Sequence, residues 1–193
     1  MKSRAFISVV SILIGLSSLA YAQSSVSKDI HIAKGKKSSR NVSTVSGDIF
    51  VGNGAHVKGD VSAVSGDISI GSKASVENIE VVSGDISIGK SAKTRNLETV
   101  SGDIHLYEKS DVDGSIESVS GDVNCDSGSD IVESIETVSG DIELDDSRLR
   151  GFLKTVSGDI SLFNGSMIDG DIIINRKPDV VLFHDGKLKI IID

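Results

Sequence analysis

The acidic side chains offer the most chemistry in this sequence. Residues 103–146 hold 14 Asp and Glu side chains against Lys109 alone, a net of −13, whereas residues 23–102 sum to +2 and residues 147–193 to +1. Charge gathered this tightly is a local feature, since it does not run along the chain. Within the belt, Asp126 aligns beside Asp145, Asp111 beside Asp130, and Asp146 follows Asp145 at the same corner. Hard cations such as calcium take about six to eight oxygen ligands, which clustered carboxylates on adjacent turns can supply. Asp126, Asp130, Asp145 and Asp146 therefore form a candidate calcium site, and calcium is the one cofactor the sequence suggests. The competing reading is a solvated acidic belt that tolerates its own repulsion or meets a basic partner.

A second set of carboxylates is regular. Val-Ser-Gly-Asp recurs with its Asp at Asp48, Asp67, Asp85, Asp103, Asp122, Asp141 and Asp159. If these stack at the spacing of neighbouring strands, each adjacent pair repels by about 1 kcal/mol in water. The repulsion needs an offset. Either each Asp accepts backbone N–H groups at a corner, as Asp does in turns, or a row of cations is bound. The calcium-binding nonapeptide needs Gly-Gly-x-Gly-x-Asp, which this sequence lacks.

Catalytic groupings find little support. His31, His56, His105 and His184 fall in different repeat units, with no column partner of the Ser or Asp type expected. Cys125 is the only cysteine; it stands where other units carry Ile, Val or Leu, so it reads as a small buried hydrophobe. No unit is long enough to supply a substrate lid. No enzyme is expected. Thr44 and Ser46, Thr99 and Ser101, Thr137 and Ser139, and Thr155 and Ser157 flank a valine that reads as inward, which would send their hydroxyls outward. Such a face is a solvated surface, or a contact face for glycan or protein.

The elements that position these residues follow from the period. Successive motif Asp residues are 18 or 19 positions apart, and a fixed period near 20 marks stacked repeats, each burying its apolar edge against its neighbours. Apolar residues recur one and three places after each Asp, about nine after it, and six before the next; the motif valine reads as a fifth. Alternation in Asp-Ile-Ser-Ile is the period-two signature of strands, and Gly in every unit disfavours helices. The sequence thus predicts an all-β, single-stranded β-solenoid of about nine coils of 18–20 residues, a rod roughly 40–45 Å long.

The repeated Val-Ser-Gly-Asp-Ile-x-Ile unit resembles bacterial adhesin-type β-solenoid domains over residues 27–193. It is also similar to polymer-forming bactofilin-type solenoids, where Gly-Asp-Ile recurs at a like period. The resemblance implies a right-handed coil without a catalytic site. Val64, Ile70, Val76, Val82 and Ile88 are instead spaced by six, and Ile70-Gly71-Ser72-Lys73-Ala74 looks like the hexapeptide of left-handed acyltransferase helices. That spacing slips to seven at Val112–Val119 and Ile131–Val138, so the right-handed form is favoured over the left-handed one.

Residues 1–22 read as a signal peptide. Lys2 and Arg4 precede an apolar run, and Ala20-Tyr21-Ala22 is a small-residue cleavage site, with cleavage expected after Ala22. The remaining residues 23–193 form one β-solenoid domain: a basic N-terminal coil (27–47), regular coils (48–178), and a C-terminal coil or cap (179–193) in which Phe183 could plug the end. Periplasmic or extracellular localisation follows, with no membrane span after cleavage. The mature chain carries a net charge near −10 and no basic stretch interleaved with aromatics, which argues against nucleic acid. Lys28, Lys34, Lys36, Lys37 and Arg40 load the first coil; they read as blocking an exposed strand edge or as a docking patch for anionic lipid or glycan. The expected function is structural or adhesive, through the faces or by self-association, with glycan or a cell-surface protein as possible partners. The alternative is an atypical hexapeptide-repeat acyltransferase-like protein.

Overall fold

The computed structural model describes residues 23–174 and the strands Val180–Leu182 and Ile190–Ile192. Residues 1–22, read above as a signal peptide, and Phe183, His184, Lys187 and Lys189 lie outside the described residues. The chain is an all-β solenoid of parallel stacked coils, about eight turns, with no helix among the described residues.

Each turn contributes a strand to each of three parallel sheets, which hold ten, nine and eight strands. One turn shows the plan. Ile79–Ser83 lies in the first sheet, Ile86–Ile88 in the second and Lys93–Thr94 in the third. Register is in step from coil to coil, so Ile86 sits between Ile68 and Ile104, and Ile79 between Val61 and Leu97. The apolar positions one and three after the Asp become the inner columns of the second sheet. The position six before the next Asp becomes an inner column of the first, and the position about nine after becomes that of the third. Ile68, Ile86, Ile104 and Ile142 are fully buried. The interior takes one layer of aliphatic side chains per coil, which is why aromatics are scarce.

The fifth inward position is not the motif valine. Val45 is exposed, and Val64, Val82, Val100, Val119, Val138 and Val156 are half-buried on the outside of the first sheet. Thr44, Thr99, Thr137 and Thr155 are buried in their place. The reason is parity. Successive strand residues point to opposite faces, so Ile79 and Val82, three apart on one straight strand, cannot both face inward. Ile79 and Val81 do, and Val82 is left outside. The predicted outward column of Thr hydroxyls is therefore inside.

These inward hydroxyls are unevenly satisfied. Thr137 Oγ1 donates to the Gly140 carbonyl at 3.4 Å and Ser118 Oγ to that of Gly121 at 3.2 Å. Thr44, Thr99 and Thr155 have no partner for Oγ1. An unbonded buried hydroxyl costs about 1–3 kcal/mol. Val81, which pairs with Thr99 in the adjacent coil, shows that the column accepts the apolar counterpart. Thr99→Val is expected to stabilise the protein by about 1 kcal/mol, read as a rise in the urea midpoint. An unchanged or lower midpoint would show that the hydroxyl is satisfied.

Candidate functional site

The corners carry the first functional candidates. Gly47, Gly66, Gly84, Gly102 and Gly121 have φ between 138° and 153°, which favours glycine; Gly47 packs on the Lys28 backbone, and each of the others on the glycine of the preceding coil. This brings each motif Asp under the next. Asp67 N–H donates to Asp48 Oδ1 at 2.9 Å, Asp85 N–H to Asp67 Oδ1 at 2.9 Å, Asp103 N–H to Asp85 Oδ1 at 2.9 Å and Asp122 N–H to Asp103 Oδ1 at 2.8 Å. The same bond joins Asp29 to Asp48, Asp122 to Asp141 and Asp141 to Asp159. The ladder is a structural splice: each carboxylate from Asp29 to Asp141 accepts a backbone N–H from the following coil, and that charge-assisted bond offsets the repulsion between neighbours. A second splice at the opposite corner runs through Asn41, Asp60, Asn78 and Asn96. Asp60 N–H donates to Asn41 Oδ1 at 3.0 Å, and Asn96 Nδ2 donates to Asn78 Oδ1 at 2.9 Å. Without an invariant motif around it, this column left no mark in the sequence.

The acidic belt is arranged as predicted, in that Asp111 pairs in register with Asp130. The four candidate calcium ligands are nevertheless engaged one by one. Asp130 is bound by Arg150 through a two-pronged contact, with Nε at 2.9 Å from Oδ1. Asp126 Oδ1 lies 3.1 Å from His105 Nε2, Asp146 Oδ2 accepts from Ser127 Oγ at 2.8 Å, and Asp145 Oδ1 accepts from Asn164 Nδ2. Among the described residues no group of three or more His, Cys, Asp or Glu side chains is placed to hold a metal ion. The belt is instead bracketed by cations from adjoining coils. Lys90 holds Glu108, Lys93 holds Asp111 at 2.6 Å, and Lys154 holds Glu136 at 2.9 Å. The Arg150 hydrogen bond keeps the Asp130 carboxyl below its ordinary range despite some desolvation. That contribution is present above the ordinary carboxylate value and is lost as pH falls through the folded one.

Two histidines have partners the sequence reading did not expect. His56 Nδ1 is 2.8 Å from Ser75 Oγ, its register neighbour, and His105 meets Asp126 as above, with its ring stacked on Tyr107. Neighbouring coils are 18 or 19 residues apart, so a His and a Ser that look remote in sequence become adjacent. The His56–Ser75 pair stands on an open face, with Lys37 on one side in register and Lys93 on the other. The register neighbour of His56 away from Ser75 is Lys37, a cation that cannot orient the imidazole as a base. Cys125 is buried, as expected, and burial pushes its thiol far up, with Asp126 adding to the effect.

The outer surface of the first sheet is the most continuous candidate. Its valine column runs beside the column Glu80, Glu98, Glu117 and Glu136, which are register neighbours. Burial, then the charges of Glu98 and Asp60, raise the Glu80 carboxyl above its ordinary value of 4.5. A raised acid takes up protons on folding, so its penalty grows as pH rises from 4.5 through the folded value and is then constant. Glu80→Gln is expected to raise Tm at pH 7, with the gain vanishing below pH 4.5. Thermal melts across that range test it, and a gain that does not vary with pH would contradict the assignment.

No curated protein matches the chain, and no solved structure does. The Toastrack DUF4097 family model matches residues 78–193, more than half of the sequence and the stretch that holds the acidic belt and most of the valine column. The chain belongs to the Toastrack DUF4097 family.

Proposed function

We propose that this protein is an exported, non-enzymatic β-solenoid with a structural or adhesive role, working in the periplasm or at the cell surface. The observation that carries the reading is the outward valine column, Val45 to Val156, lying beside a column of glutamates on one long sheet. A continuous apolar strip on a rigid outer face is a surface suited to contact with another molecule. The adhesin-type and bactofilin-type resemblance of the repeat agrees with this, as does the absence of long insertions between the described strands. Contacts are made through the faces or by end-to-end association of rods.

The test is size in solution over a range of concentrations, with electron microscopy of the same samples and a binding assay for acyl-CoA. A monomer, or filaments that grow with concentration, without acyl-CoA binding, is the expected result. An obligate trimer that binds acyl-CoA would overturn the reading in favour of the acyltransferase-like alternative.

A further inference from the structure

We propose that the N-terminal end of the rod binds an extended acidic peptide by strand addition. This goes beyond the role proposed above, which names no ligand for that end, and it rests on observations other than the valine column.

Among the described residues, Ile30–Ile32 and Lys37–Ser38 are the end strands of the second and third sheets. The Ile30 N–H donates to the Asp48 carbonyl at 2.8 Å, and the Ile32 carbonyl accepts from the Gly52 N–H at 2.8 Å, so residues 30 and 32 face the second coil. In a parallel ladder the residue between them turns its N–H and C=O to the opposite side. The peptide groups of His31 therefore point out of the end of the rod. By the same alternation the carbonyls of Lys36 and Ser38 accept from His56 and Lys58, both at 2.8 Å, and the peptide groups of Lys37 point outward. Such edges are templates for another strand.

Between these two edges lies a cavity of about 580 Å³, lined by His31, Ile32, Lys36, Lys37, Ser38 and Arg40 among others. Ile30 and Ile32 are each 6 % exposed, and the His31 ring is stacked on Phe50 with centroids 4.9 Å apart. Lys36, Lys37 and Arg40 are exposed and take part in no ion pair among the described residues, whereas Lys90, Lys93, Arg148, Arg150 and Lys154 each hold a carboxylate. The end thus presents backbone groups for a ladder, cations for carboxylates, and the inward Ile30 and Ile32 as an apolar floor for side chains at alternate positions, with the His31–Phe50 stack on the outer side. An extended acidic segment supplies all three complements. A second copy stacking its last coil here fits the charge less well, because residues 169–193 carry five acidic and four basic side chains.

The probe is a fluorescent octapeptide of alternating valine and aspartate, titrated against the purified full chain and followed by anisotropy. Saturable binding is expected, weakened about tenfold by Lys36→Gln with Lys37→Gln and Arg40→Gln, since each exposed pair is worth a few tenths to 1 kcal/mol. Methylating alternate backbone nitrogens of the peptide should weaken binding by a similar factor. Lys73→Gln with Lys109→Gln, two or more coils from the edge, should leave it unchanged. The triple variant's melting curve confirms that it is folded. Absence of saturable binding overturns the proposal, as does binding indifferent to the triple variant. Binding indifferent to backbone methylation, or displaced equally by inorganic phosphate at matched ionic strength, also overturns it, by showing a simple anion site. None of these outcomes bears on the filament and acyl-CoA measurements, so the two readings fail separately.

Discussion

Replacing Gly102 with alanine is expected to destabilise the rod by about 4 kcal/mol, the combined order of a strained backbone and an overpacked contact. Gly102 has φ 142°, and a Cβ placed there would collide with the Gly84 carbonyl oxygen and carbon of the adjacent coil. Neither neighbour is a flexible side chain, so the coils themselves would have to separate. Separation breaks the Asp103 N–H bond to Asp85 and loosens the isoleucine column beside it. Gly54 supplies the control. It has φ 65°, yet nothing lies within 4 Å of a Cβ there. Gly54→Ala should therefore cost only about 1 kcal/mol of backbone strain. Urea unfolding of both variants tests the pair of values. Equal losses would mean that the corner glycines are selected for their dihedral angle alone, and that coil contact is looser than described.

Ile104→Ala is expected to cost about 3 kcal/mol, and Val100→Ala well under about 1 kcal/mol. Ile104 is fully buried between Ile86 and Val123 in the middle of the rod, where stacked coils leave little room to collapse into the cavity. Val100 is half-buried on the outer face. Denaturant midpoints of the two variants decide which aliphatic position of the repeat is core and which is surface. A large loss at Val100 would restore the inward reading of the motif valine and remove the apolar strip on which the proposed function rests. Retained stability with altered association would strengthen it.

Most of the architecture was legible in the sequence because it is written many times. An interval of 18 or 19 residues, repeated, fixes which residues stack, and the alternation of Asp-Ile-Ser-Ile fixes which way they point. The register pairs Asp111–Asp130 and Ile86–Ile104 follow from counting alone. The motif valine reads as inward by hydrophobicity, but parity decides its side: Ile79 sets the phase of its strand, and Val82 falls on the outer face. The Ser-Gly corner then resets the phase before Ile86, a change that composition does not announce. The Asp ladder was legible as a corner, but its donor was not, since the N–H comes from a different coil. The partners of Asp126, Asp130, Asp145 and Asp146 were hidden for a related reason. Arg150, His105, Ser127 and Asn164 reach them across coils, from column positions whose residue type changes along the rod.

The direction of the bonds between coils gives the rod a mechanical character. Contacts such as Ile86 N–H to the Asp103 carbonyl, 2.8 Å, run along the axis and not around it. A pull on the two ends of the molecule loads these bonds in tension, a few at a time, starting from the outermost coil. Each coil that yields releases 18 or 19 residues of chain, about 60 Å of slack at full extension. The coils beneath keep their own ladders and carry the load next. Under strain the solenoid therefore lengthens in steps and limits the force it transmits, as a tether does when it is built to yield before its anchor tears.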